Sequence, residues 1–391
     1  MIPYGRQSID ESDIEAVVAV LRSDWVTQGP AIAAFEQGVA QYCGAAHAVA
    51  VCNATAALHL ACLALDVGAG DIVWTTPNTF VASANCARYC GANVDFVDID
   101  PRTLNMSTTA LADKLAQAAQ SGRLPKVIIP VHFSGQACDM AEIAGLAQRY
   151  GCRVIEDASH AVGAEYRGEP VGSGRYSDIT VFSFHPVKII TTGEGGMALT
   201  KDAQLAARLA RLRNHGITRD AAEMENASQG PWYYEQLELG FNARMTDLQA
   251  ALGLSQLKRL TAFVARRRQL AERYTQLLSE AALPVVCHTT ATDRRSAWHL
   301  YPIRVAAEKR RPIFAALRAA EIGVQTHYIP VHLQPYYRNI GFKPGDFPEA
   351  ERYYREAISL PLFPGLTDVE QSTIVSTLNK ALHEALGEAL R

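Results

Sequence analysis

The chain is short of the features that would take it out of the class of compact globular proteins. It has eight cysteines in 391 residues but no Cys-x-x-Cys pair. Thiolate metal sites and a disulfide scaffold are therefore not expected, and the thiols, including Cys86 and Cys90 four apart, read as buried or half-buried. No apolar run is long enough to span a bilayer. The opening segment Met1–Asp10 holds no apolar stretch of the kind a secretory leader needs. An excess of one charge is also missing: 37 basic and 40 acidic residues leave a net charge of -3. That argues against electrostatic binding of nucleic acid, and the lack of a basic run argues against a membrane surface. Lysine itself is scarce, with eight against 29 arginines. What is plentiful is apolar: 48% of residues are hydrophobic, enough for a substantial core. These bounds fit a cytoplasmic enzyme or small-molecule binder of one large domain or two.

Periodicity organises the first two thirds of the chain. Ser8 and Glu11 have capping-box spacing, and Ile14, Val17, Val18 and Leu21 then share one helical face. A second helix carries Ile32, Phe35, Val39 and Tyr42 and stops at Gly44. Apolar runs then alternate with helical segments. Strands are expected at 48–52, 71–75, 94–97, 127–131, 153–155, 179–184 and 196–200, with helices at 54–65, 81–89, 111–119 and 141–150. This alternation predicts an α/β fold with a mainly parallel sheet covered by helices on both faces. Ligands on such sheets sit at the carboxyl ends of the strands. From about Thr246 the pattern changes to one long helix reaching about Leu278, then a strand near 299–305 and helices near Ile313 and Val369. A large domain over 1–250 and a smaller α+β domain over 251–391 are expected. The segment 220–234 reads as an irregular polar loop, and Arg266-Arg267-Arg268 as a solvated helix face.

Two strand ends carry chemistry. Ser183-Phe184-His185-Pro186-Val187-Lys188 closes an apolar strand with a lysine in a glycine-rich turn. Desolvation there would lower the lysine pKa and favour the neutral, nucleophilic amine that an aldehyde cofactor requires. A surface lysine is the plainer alternative. Val154-Ile155-Glu156-Asp157 ends in an acidic pair whose members face opposite sides of the strand. Asp157 would keep a pyridine nitrogen protonated, whereas a solvated strand end is the plainer reading. Asn53-Ala54-Thr55-Ala56 opens a helix straight after a strand. Its free amides suit a phosphate, as they would suit an ordinary N-cap. Phe80 offers a ring for stacking or for the core.

Six ordered motifs resemble the DegT/DnrJ/StrS family of sugar aminotransferases over nearly the whole chain. They are Trp25-Val26-Thr27-Gln28-Gly29-Pro30, Asn53-Ala54-Thr55-Ala56-Ala57-Leu58, Pro77-Asn78-Thr79-Phe80, Glu156-Asp157-Ala158-Ser159-His160-Ala161, the Lys188 segment through Gly196, and Gly240-Phe241-Asn242-Ala243-Arg244-Met245-Thr246-Asp247. The resemblance implies the fold-type I aminotransferase architecture, pyridoxal 5'-phosphate (PLP) held by Lys188 as a Schiff base, and a homodimer with shared active sites. It implies that Asp157 pairs with the pyridine nitrogen and that Phe80 stacks on the ring. Thr55, Ala56 and Ser183 would meet the phosphate, joined by Asn242 from the partner subunit. His160 stands where many relatives have Gln, near the phenolic oxygen. Tyr4, Thr27, Gln28, His327 and Tyr328 would line the sugar side. Substrates in the family are nucleotide-linked keto-sugars with glutamate as amino donor. The run around Lys188 is similar to members that aminate carbon 4, above all those of pseudaminic acid biosynthesis, which act on a UDP-linked 4-keto-6-deoxy sugar. Amination at carbon 3 is the alternative. A sugar dehydratase of the family would carry His in place of Lys188, and a non-catalytic PLP-binding regulator would leave the complete set of motifs without a purpose.

Overall fold

The seven apolar runs pair in one sheet. In the computed structural model, which describes residues 1–387, the strands are β1 (His47–Val51), β2 (Ile72–Thr75), β3 (Asn93–Phe96), β4 (Val127–Ile129), β5 (Arg153–Asp157), β6 (Ile179–Ser183) and β7 (Gly196–Thr200). Their order across the sheet is β1-β7-β6-β5-β4-β2-β3. Pairing is parallel from β3 through β6, and β7 alone runs antiparallel to both its neighbours. The run Val127-Ile128-Ile129 shows why the central strands are rich in apolar residues. Val127 and Ile129 pack into one core and Ile128 into the other, on the opposite face. One face is covered by α3 (Ala54–Ala64), α4 (Ala82–Tyr89) and α7 (Ala203–Leu212). The other is covered by α2 (Pro30–Cys43), α5 (Thr108–Ser121) and α6 (Met140–Tyr150). The helix α7 was not anticipated from the sequence.

Four expectations need correction. The helix α1 (Glu11–Leu21) is capped by Asp10, not by Ser8. The Asp13 amide donates to Asp10 Oδ1 at 3.2 Å and the Asp10 amide donates back to Asp13 Oδ2 at 3.1 Å. A carboxylate at each position also suits the positive end of the helix dipole. The apolar stripe of α1 is not its buried face: Ile14 is 47% exposed and Leu21 59%, while Asp13 is fully buried. The long helix after Thr246 is in fact two, α8 (Asp247–Leu257) and α9 (Leu260–Glu280). At the break, Arg259 turns to pair with Asp10 at 2.6 Å and with Asp13. The arginine run on α9 is not a solvated face either. Arg267 is 1% exposed and donates through Nη1 to the carbonyls of Trp298, His299 and Leu362.

The C-terminal part contains a three-stranded antiparallel sheet of β8 (Val286–Cys287), β9 (Tyr301–Arg304) and β10 (Ala357–Leu360). Around it lie α10 (Ala307–Ala319), α11 (Pro335–Asn339), α12 (Pro348–Glu356) and α13 (Asp368–Gly387). The helix α9 serves two cores. Leu260, Phe263 and Val264 pack under the large sheet, and Leu270, Tyr274 and Leu278 pack with Tyr301, Ile303 and Ile358. Beyond α10 the chain returns to the large sheet, where the Val331 amide donates to the Pro77 carbonyl at 2.9 Å. No helix among the described residues is long and apolar enough to cross a membrane.

Candidate active site

Lys188 follows the carboxyl end of β6, which pairs with β5 and its terminal Asp157. β6 is buried throughout, and Phe184 after it is 0% exposed. The chain then turns, with the Lys188 amide donating to the His185 carbonyl at 2.8 Å, and comes back to β7 through Gly195 and Gly196. Gly196 is required here: a Cβ would lie 2.5 Å from the Ala54 nitrogen, so β7 passes against the start of α3 only because the side chain is absent. Lys188 is half-buried. Burial pushes its ammonium down to about 8, against a smaller upward pull from the Asp157 carboxylate. At neutral pH an appreciable fraction of the amine is therefore unprotonated.

Asp157 and Glu156 separate as strand geometry requires. The Ser83 hydroxyl on α4 donates to Asp157 Oδ2 at 2.6 Å, and the Ser159 amide donates to Oδ1 at 3.1 Å. Glu156 faces the opposite side, against His132 Nε2 at 2.7 Å and the hydroxyls of Ser177 and Thr180. Burial raises its pKa, but His132 and the two hydroxyls outweigh this and hold the carboxyl below its ordinary value. Only Asp157 is left on the Lys188 side.

Histidines crowd the amine. His160 is 5% exposed and lies with its ring 4.4 Å from His299. Burial, then Lys188 and His327, hold His160 well below the ordinary histidine pKa. Burial, then His160 and Lys188, do the same to His299. His327 is pushed down to about 3 by burial and Lys188, and its Nδ1 meets Ser359 Oγ at 2.9 Å. Tyr328 reaches His160 Nε2 at 3.1 Å, and Tyr4 packs on His327 at 5.6 Å between rings.

The structure thus brings Lys188, Asp157, His160, Tyr4, His327 and Tyr328 together. At the start of α3, Asn53 is the N-cap and its Oδ1 accepts from the Ala56 amide at 2.9 Å. Ala56 therefore has no amide to give an anion. The amides of Ala54 and Thr55, with the Thr55 hydroxyl, are the remaining donors, and Ser183 is buried nearby at the end of β6. Phe80 is 59% exposed although Asn78 and Thr79 before it are buried, so its ring face is open. Asn242 is exposed on a segment that runs along β1, with the Cys52 amide donating to the Ala243 carbonyl at 2.9 Å. Thr27 and Gln28 are exposed in the loop before α2, where Thr27 bridges to Thr246.

Three contributors escaped sequence reasoning. Ser83 sits among small residues with no local mark. His299 reads as part of an apolar strand. Asp247 lies inside one of the motifs, but its task is remote: it is fully buried and accepts from the Gly29 amide at 2.7 Å and the Ala31 amide at 3.0 Å, which caps α2 and fixes the Thr27–Gln28 loop.

The donor set fits PLP: a primary amine of lowered pKa for the aldehyde, a fixed carboxylate for the ring nitrogen, helix amides for the phosphate and an open aromatic face for the ring. The orphaned buried nitrogen His160 Nδ1 also fits, as a partner for a polar atom of the cofactor.

The profile of the DegT/DnrJ/EryC1/StrS aminotransferase family matches residues 7–379. The chain is 41% identical over 383 residues to the spore coat polysaccharide biosynthesis protein SpsC of Bacillus subtilis, covering 96% of each. It is 37% identical to the UDP-4-amino-4-deoxy-L-arabinose–oxoglutarate aminotransferase of Shewanella sediminis, covering 97% of each. Among solved structures it superposes on Spr1654 of Streptococcus pneumoniae, assigned as a sugar aminotransferase, in its PLP form with a TM-score of 0.89, 30% identity and coverage of 98% and 99%. It also superposes on Helicobacter pylori PseC, an aminotransferase of pseudaminic acid biosynthesis, with a TM-score of 0.89, 29% identity and the same coverage. The chain belongs to the DegT/DnrJ/EryC1/StrS aminotransferase family and is a PLP-dependent sugar aminotransferase.

Proposed function

We propose that the enzyme moves the amino group of L-glutamate to carbon 4 of a UDP-linked 4-keto-6-deoxy sugar. The specific form we favour is the UDP-4-amino-4,6-dideoxy-N-acetyl-β-L-altrosamine transaminase reaction of pseudaminic acid biosynthesis. The observation that carries the transamination is the Lys188 amine, lowered to about 8 beside the Asp157 carboxylate. The Shewanella relative supports the rest, because its name joins a UDP sugar with nitrogen on carbon 4 to oxoglutarate, the keto partner of glutamate. The PseC likeness supports the pseudaminic form.

Bound PLP supplies an electron sink for the carbon that loses its proton. Lys188 holds the cofactor covalently. Its amine would take the proton from the glutamate Cα as general base. In the second half-reaction it returns a proton to carbon 4 of the sugar. Asp157, fixed by Ser83 and Ser159, keeps the pyridine nitrogen protonated. Phe80 stacks on the ring, and His160 lies at its phenolic oxygen. Thr55, Ser183 and the partner subunit's Asn242 hold the phosphate, and Ala56 contributes by being small. Tyr4, Thr27, Gln28, His327 and Tyr328 face the sugar. A cofactor domain over residues 1–250 and a smaller domain after it divide the chain in this reading, although α8 and the first turn of α9, through Val264, still pack on the large sheet. One site that serves two substrates in turn gives ping-pong kinetics.

The enzyme works in this reading as a homodimer in the cytoplasm. Exposed Trp25, Val26, Phe80 and Phe241 around the site favour a second copy covering them. Eight free thiols suit a reducing compartment. The reaction is tested by supplying the holoenzyme with L-glutamate and UDP-linked 4-keto-6-deoxy sugars and locating the new nitrogen by NMR. An amine on carbon 4 is expected. An amine on carbon 3, or no product from any 4-keto sugar, overturns the assignment.

A further inference from the structure

The contact between Tyr328 and His160 fixes where the histidine carries its proton. His160 is neutral in its buried setting, so only one of its two nitrogens bears hydrogen. Tyr328 keeps its phenol proton, because burial first, then Tyr4 and Asp157, push its pKa up. Its hydroxyl has one partner among the described residues, His160 Nε2 at 3.1 Å. Two arrangements are open. If Tyr328 donates to Nε2, the imidazole hydrogen is on Nδ1, and the Nδ1–H is left without a protein partner. If instead Nε2–H donates to the tyrosine oxygen, the phenol hydrogen and the Nδ1 lone pair are left without one. A phenol hydrogen is a stronger donor than a neutral imidazole N–H, and an imidazole nitrogen is a stronger acceptor than a phenol oxygen, so the stronger hydrogen bond selects the first. Nδ1 is buried and has no protein partner. The rings of Phe133 at 6.2 Å, His299 at 4.4 Å and Tyr328 at 6.1 Å pack around it.

We infer that Tyr328 is a positioning residue that locks His160 as the Nδ1–H tautomer, so that Nδ1 meets the cofactor as a hydrogen-bond donor to its phenolic oxygen. A donor there stabilises negative charge on that oxygen, and a lone pair would repel it. This rests on the placement of His160 beside that oxygen.

The test is ¹⁵N NMR of the full chain labelled at histidine, first without PLP and then with it. The His160 signals are assigned by their loss in His160→Gln. Without PLP, the wild type is expected to show a protonated Nδ1 and an unprotonated Nε2. Tyr328→Phe keeps the ring and removes the donor, so its His160 is expected to move toward the Nε2–H form. A wild type with Nε2 protonated, or a Tyr328→Phe spectrum unchanged at His160, overturns the lock. With PLP, the Nδ1 proton of the wild type is expected to shift as it gains an acceptor. No shift at Nδ1 overturns its use toward the cofactor and leaves the tautomer standing. A failure of the wider PLP reading is distinguishable, because the wild type would then lack the visible absorbance of lysine-bound cofactor.

Discussion

The Ser83 hydroxyl donates to Oδ2 of Asp157 across 2.6 Å, and it is itself 2.7 Å from the Thr79 hydroxyl. The first turn of α4 thereby sets the direction of the carboxylate at the end of β5. A hydrogen bond to a charged group contributes about 1.5–3 kcal/mol. Ser83→Ala is expected to lower kcat about tenfold or more and to loosen cofactor retention. Asp157→Asn, which removes the charge itself, should cost far more. Steady-state rates of the two variants check this, and equal losses would contradict the ordering.

The lowered Lys188 amine makes a kinetic prediction. The nucleophile is the neutral form, whose fraction falls about tenfold for each pH unit below the pKa. Capture of PLP by the cofactor-free enzyme should therefore quicken as pH rises and level off above about 8. Stopped-flow absorbance measures it. A rate still climbing toward the ordinary lysine pKa would mean that the amine is not desolvated.

Buried neutral histidines make the fold sensitive to acid. His288 is pushed down to about 4 by burial and Arg304, and His327 to about 3 by burial and Lys188. The unfolded chain takes up these protons near pH 6.5 and the native chain does not. Their contribution to stability is thus complete above about 6.5 and is lost as pH falls toward the folded values, by about 1.4 kcal/mol per pH unit for each histidine. The Tm of the cofactor-free chain should drop between pH 7 and 5, and His288→Asn should make the slope shallower. A Tm that is flat over that range contradicts this.

Arg267 is buried with no carboxylate partner among the described residues. Burial lowers its pKa to about 10, and Nη1 joins the carbonyls of Trp298, His299 and Leu362. It ties α9 to the strand entry that carries His299. Arg267→Met keeps a long unbranched stem and removes the charged donor from the three carbonyls. It should destabilise the chain by about 2 kcal/mol, the scale of a lost charge-assisted hydrogen bond. Denaturant unfolding measures the loss, and unchanged stability would contradict this role.

How legible the site was follows from how local each signal is. The sheet could be read because Val127–Ile129 is apolar at every position and Ile179–Phe184 at all but Thr180 and Ser183, as suits strands buried on both faces. Lys188 and Asp157 could be read because each closes such a strand. Ser83 could not, because its meaning comes from Asp157, 74 residues away. His299 lies 139 positions from its neighbour His160, and its sequence surroundings suit any core strand. The capping of α1 was misplaced because both Ser8 and Asp10 precede the helix and only the structure shows which side chain meets Asp13. The break at Arg259 was invisible because Lys258 and Arg259 are sound helix formers, and the reason to turn is a distant ion pair with Asp10 and Asp13.

The most direct test of the account is the absorbance spectrum of the PLP-loaded enzyme and of Lys188→Ala, before and after addition of L-glutamate. The account predicts a visible band of lysine-bound cofactor in the wild type, its replacement by a near-ultraviolet band on adding glutamate, and no lysine-bound band in Lys188→Ala. A wild-type band that glutamate leaves unmoved, or full turnover by Lys188→Ala, would contradict it.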